Sequence, residues 1–152
     1  MIYVLALLIG VVAGLRTMTA PAVVSWAAHL GLLKLDGTPL AFLGLAVTSW
    51  ILTVLAVVEL VVDQLPSTPS RTVPMQFAAR IISGAMTGGA LGVQAGSLVV
   101  GAILGVVGAV IGTLGGLAGR TALTARIGAR PAGFLEDAIA IGGALLIVAA
   151  LR

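Results

Sequence analysis

Residues 97–118 read SLVVGAILGVVGAVIGTLGGLA, 22 consecutive positions without a charged side chain. An uncharged apolar run of about 20 residues is what a helix needs to cross a hydrocarbon core of about 30 Å. The run therefore reads as a membrane-spanning helix from Ser97 to Ala118. Glycine recurs along it at 101, 105, 108 and 112. The run before it, Phe77 to Ala95, carries Gly84, Gly88 and Gly92, with Gly96 next at the same four-residue spacing. Such stripes let helix backbones approach closely in lipid, where dispersion and polar contacts drive association. Tight packing inside one protomer is the simpler account of them, and a seam between copies in a homo-oligomer is the other.

Working outward, apolar runs separated by polar or proline-containing breaks place four more spans: Ile2 to Leu15, Ala20 to Leu33, Leu40 to Val62 and Gly133 to Leu151. The expected fold is all-α, a polytopic transmembrane helical bundle of about six spans forming a single domain over residues 1–152. The second span is short for a full crossing and is compatible with a re-entrant helix; Thr19 is placed to cap it and Pro21 suits its first turn. The break from Gln64 to Gln76 holds Pro66, Pro69, Pro74 and Arg71 and reads as a surface loop. The first run lacks the basic n-region of a cleavable signal peptide and reads as a retained span.

Composition agrees with this reading. The 152 residues are 60% hydrophobic and 9% charged, against about a quarter charged in a soluble domain. With no cysteine there is no disulfide, thiolate metal site or cysteine nucleophile, and a single histidine, His29, argues against a histidine-based zinc site. No cofactor is implied. The net charge of +3 comes from scattered arginines without interleaved aromatics, which argues against nucleic-acid binding. They serve better as topology markers. With six spans, Arg16, Arg71, Arg80, Arg120, Arg126 and Arg130 share one side and only Lys34 and Arg152 the other, so the arginine-rich side is expected to be cytoplasmic with both termini opposite.

Each charge near a span demands a reason, because its cost at a helix centre is about 2.5–3.5 kcal/mol. Glu59 and Asp63 lie four residues apart on one helical face, where they repel and require a cation, a proton or an arginine. Arg16 ends the first span, Arg80 lies in the first turn of the fourth, Arg120 ends the fifth, and Glu136 and Asp137 open the sixth. Under six crossings all of these meet at one membrane face. The bland readings are carboxylates complementing a helix N-terminus for Glu136 and Asp137, and a structural lock in which Arg16 and Arg80 neutralise the acids. The sharper reading is a polar pocket that binds an ion, a polar solute or an anionic head group. Thr17, Thr19, Thr48, Ser49, Thr53, Ser83 and Thr87 are expected to bond their own helix backbones. Trp26, Trp50 and His29 are expected at the interface.

These same residues carry a resemblance. Gly14-Leu15-Arg16-Thr17 with Pro21, the stretch Ala27-Ala28-His29-Leu30-Gly31, Glu59 to Asp63 followed by Leu65-Pro66, Arg80 before a small-residue helix, and Leu135-Glu136-Asp137 together resemble a family of small bacterial integral membrane proteins known as a domain of unknown function. The resemblance implies an all-helical, multi-pass protein of the bacterial inner membrane, in contact with membrane lipids, and brings no reaction or substrate. The expected function is a small transporter or channel-like protein that binds an ion or polar solute at the charge cluster; the alternative is a non-transporting scaffold or lipid-binding protein in which that cluster is a lock. Without a cysteine, and with one peripheral histidine, an enzyme is the least favoured class.

Overall fold

In a computed structural model that describes residues 1–64 and 72–151, the chain forms six α-helices and no strand among the described residues. They are α1 (Ile2–Leu15), α2 (Thr19–His29), α3 (Ala46–Val62), α4 (Pro74–Val93), α5 (Leu98–Ile127) and α6 (Ala129–Ala149). A short 3-10 turn, Ala41–Gly44, leads into α3. The all-α expectation is met. The loop expected over Gln64 to Gln76 lies largely outside the described residues. Its far edge is already helical, because Pro74 fills the start of α4, where a missing N–H costs nothing.

Glycine decides how the helices pack. α5 lies against both α1 and α4, and α1 also packs on α4. A methyl group on Gly88 would sit 2.5 Å from the Gly101 carbonyl oxygen, and one on Gly92 would sit 2.5 Å from that of Ser97. Gly84 and Gly10 both face Gly105, and Gly108 and Gly112 meet the backbone of α1 at Leu7 and Val11. The stripe is thus consumed inside one protomer, where three backbones approach at Gly105. Gly96 departs from the expected packing set. Its φ of 83° places it in the turn between α4 and α5, with open space around it, so it serves the turn and not the contact.

The helices alternate in direction. Arg16 at the end of α1 meets Asp63 at the end of α3, and Arg80 near the start of α4 meets the last carbonyls of α1. At the other end Tyr3 donates to the Ala95 carbonyl (3.1 Å) and Gln94 donates to that of Lys34 (3.1 Å). Because α1 and α3 run the same way, the chain must return between them. It does so through α2, only 11 residues long, and an irregular segment anchored by the buried Leu33, Leu35 and Leu43.

Several boundaries differ from the sequence reading. α5 runs on to Ile127 and α6 begins at Ala129, so Arg120 lies inside α5 and does not end it. Thr19 does not cap α2; it is the first helical residue, buried, with Met18 at the cap. α3 starts at Ala46 because residues 41–44 are wound as the 3-10 turn. α5 and α6 are long and apolar enough to cross a membrane, and α1 and α3 are shorter apolar helices. Large hydrophobic side chains stand exposed along α3, α5 and α6, among them Val47, Trp50, Ile103 and Leu146.

The packing predicts a contrast between glycines. Gly105→Ala should drive the helices apart and lower thermal stability by several degrees in detergent, whereas Gly115→Ala, whose added methyl meets open space, should leave it within about 1 kcal/mol of the parent. Thermal denaturation followed by circular dichroism measures both; equal effects would contradict the packing.

Candidate functional site

The α1 helix stops at Arg16, whose backbone turns extended (φ −137°, ψ 114°) while its N–H still bonds the Val12 carbonyl. A helix end leaves its last carbonyls without intrahelical partners, and the start of the next leaves N–H groups equally bare. At this corner other helices supply partners for the carbonyls of Gly14, Leu15 and Thr17 and for the N–H groups of Thr17 and Met18. Arg80 from α4 donates through Nη1 to the carbonyls of Gly14 (2.7 Å) and Leu15 (2.9 Å). Ser83, one turn on, donates to the Thr17 carbonyl (2.6 Å), and Thr113 of α5 reaches the Gly14 carbonyl (3.3 Å). Glu59 of α3 accepts the N–H groups of Thr17 (2.7 Å) and Met18 (2.8 Å), one on each carboxylate oxygen.

The side chain of Arg16 turns inward and bridges two carboxylates, Asp63 of α3 through Nη1 and Asp137 of α6 through Nη2. The guanidinium is 0% exposed and the two acids about an eighth. The planar fork of arginine presents two donor edges, which a lysine ammonium does not, so one cation can hold two helices. Gln64 donates to the other oxygen of Asp137 (3.2 Å). Arg120 donates to the Asp63 backbone carbonyl (3.2 Å) and stands 3.6 Å from Glu136, tying α5 to α3 and α6. Gly133 leaves the room for this: a methyl there would lie 3.0 Å from the Gln64 amide and 3.4 Å from Arg120.

The structure brings Arg16, Glu59, Asp63, Arg80, Glu136 and Asp137 to one end of the bundle. It corrects how three of them sit. Glu136 and Asp137 are not in the first turn of α6, which holds no acidic residue; they lie two turns in, buried, and face arginines instead of bare helical N–H groups. Arg80 likewise lies beyond the first turn of α4, and its contacts described above go to carbonyls. The sequence did not point to the backbone N–H groups of Thr17 and Met18, to Gln64 or to Gly133. Only the corner geometry makes them ligands, and no side-chain signal announces it.

A polar stripe joins the same end to the rest of α3. Ser49 meets Ser25 (2.9 Å), and Thr53 accepts from the Trp26 indole N–H (2.9 Å). Thr53 also bonds back to the Ser49 carbonyl, as Thr87 does to Ser83, following the expected habit of hydroxyls in apolar helices, whereas Ser83 departs from it by donating to the Thr17 carbonyl, and the buried Thr19 hydroxyl has no partner among the described residues. Trp26 and Trp50 meet edge to face at 5.4 Å, and the His29 ring lies 3.1 Å from the Gly44 carbonyl. Along the outer side, a cleft of about 280 Å³ runs between α3 and the start of α4, lined by Thr17, Leu55, Val58, Glu59, Asp63 and Gln76. Glu59 has no cationic partner among the described residues. Nor, among them, do three or more histidine or acidic side chains gather as a metal site.

Comparison with protein-family profiles, with characterised proteins and with solved structures returned no match. The resemblance drawn from Gly14-Leu15-Arg16-Thr17, Glu59 to Asp63 and Leu135-Glu136-Asp137 is carried by those residues alone.

Removing one partner of a buried ion pair costs about 3–5 kcal/mol, because the other charge stays behind. Arg16→Ala strands two carboxylates and should lose at least that much in equilibrium unfolding in mixed micelles. Arg120→Ala, whose side chain is 24% exposed and whose ion pair is long, should cost about 1–2 kcal/mol. Arg16→Ala costing no more than Arg120→Ala would contradict the bridge.

Proposed function

We propose that this chain is a multi-pass protein of the bacterial inner membrane with six passages, whose charge cluster is a structural lock at the cytoplasmic face, and that it acts as a non-transporting, lipid-contacting scaffold. The observation that carries this reading is the direct contact of Arg16 with both Asp63 and Asp137 at zero exposure: the cation occupies the space a solute would need. The alternation of helix directions supports six passages, with α2 and the buried residues of the segment after it together making the return. Irregular backbone at membrane depth is tolerated where protein covers it. The backbone contacts around Gly105 leave no room for an axial path between α1, α4 and α5.

A second reading, transport or binding of an ion or polar solute, is favoured by one feature. The cleft beside Glu59 joins a carboxylate lacking a described counter-ion to apolar walls. Intramembrane ionisable groups commonly mark such pathways.

The absence of native cysteine makes topology directly measurable. Thr38→Cys should react with a membrane-impermeant maleimide in intact cells, and Ala129→Cys, at the exposed start of α6, only after permeabilisation. Labelling of both from one side would overturn the six passages. In reconstituted vesicles, Glu59→Gln should change stability and no ion flux; a flux that this variant abolishes while remaining folded would establish the second reading.

A further inference from the structure

We propose that the exposed tip of the α5–α6 hairpin, through Arg126 and Arg130, holds the phosphate of an anionic phospholipid. This rests on the reading of the chain as membrane-embedded. At about 1.5 Å per residue the 30 residues of α5 extend about 45 Å, against a hydrocarbon core of about 30 Å. Roughly ten residues must therefore emerge. α5 starts at the Gly96–Ser97 turn, at the end remote from the charge cluster, so the excess emerges beside that cluster. Exposure agrees with this: Thr113 is the last buried residue of α5 and Ala132 the first of α6.

The emergent tip is basic and uncompensated. Between residues 114 and 135 the sequence holds Arg120, Arg126 and Arg130 and no acid. The next acids, Glu136 and Asp137, are buried and face Arg120 and Arg16. Among the described residues neither the Arg126 nor the Arg130 side chain has a hydrogen bond or ion pair. Water alone would solvate two arginines, but two neighbouring features suit a lipid better. Ile127 and Phe134 stand about half and two-thirds exposed on the same hairpin, an apolar pair that the boundary of head groups and acyl chains would cover. No side chain caps the start of α6 and its first turn has no acidic residue; Pro131 has no N–H and that of Ala132 bonds the Gly128 carbonyl (3.3 Å), so the N–H groups of Ala129 and Arg130 are left as donors beside the guanidinium groups.

The phosphate of a phosphatidylglycerol-type lipid accepts from these donors without a competing ammonium, whereas that of phosphatidylethanolamine carries its own internal cation. The full chain, purified and incorporated into bilayers of equal phosphatidylglycerol and phosphatidylethanolamine, should retain the anionic lipid preferentially by native mass spectrometry. Each of R126Q and R130Q should weaken that preference about fivefold, as expected for about 1 kcal/mol per basic residue at an anionic surface. K34Q, at the opposite end, should leave it unchanged, and inorganic phosphate should not displace the lipid. Raising salt on the parent protein should lower the preference in parallel, a readout independent of any variant. Undiminished enrichment in the doubly substituted R126Q/R130Q chain, or an equal loss in K34Q, would overturn the assignment. An alkaline carbonate wash separates the two levels. A chain released into the aqueous phase defeats the membrane reading itself, while one that stays in the bilayer without lipid preference defeats only this inference.

Discussion

One guanidinium sets the geometry of the whole molecule. Arg16 follows directly on α1, is fully buried, and holds carboxylates from α3 and α6, elements 47 and 121 residues further along the chain. Burying a charge is costly unless it is paired and hydrogen-bonded, so this side chain admits few arrangements of the surrounding helices. Its burial also explains why the corner between α1 and α2 draws partners from α3, α4 and α5. Once the helix end is drawn inside, its bare carbonyls and N–H groups need ligands as well, and Arg80, Ser83, Thr113 and Glu59 provide them.

The corner and the glycine contacts are two halves of one design. Away from the cluster, α1, α4 and α5 are held by backbone approach at Gly10, Gly84, Gly88, Gly101 and Gly105, contacts that are weak singly and depend on accurate register. The ionic corner fixes that register, because a helix shifted by one turn would separate Arg80 from the α1 carbonyls. α3 depends on polar contacts more heavily still. Ser49 and Ala56 are its only buried residues, and it is attached through Ser49, Thr53, Glu59 and Asp63.

How much of this was legible follows from what hydropathy measures. The end of α1 is legible because Arg16 is the first charged residue after an apolar run, so composition and helix end coincide. The end of α5 and the start of α6 are not legible, because helical hydrogen bonding extends through exposed glycine, threonine and arginine beyond the limits of the apolar signal. The cluster was legible because four carboxylates in so apolar a chain demand partners. Which partner each would take was not legible. Glu59 binds backbone N–H groups that exist only because the chain turns at Arg16, and Asp137 meets Arg16 only because α6 begins early enough to bury it.

A double-mutant cycle between Arg16 and Asp137 tests the bridge most directly. Unfolding free energies of Arg16→Met, Asp137→Asn and the combined variant, measured in one detergent, give the coupling between the two sites. The arrangement described requires a coupling of about 1–3 kcal/mol, the combined variant being far less damaged than the sum of its parts. Effects that add to within about 0.5 kcal/mol would mean that the two side chains do not depend on each other.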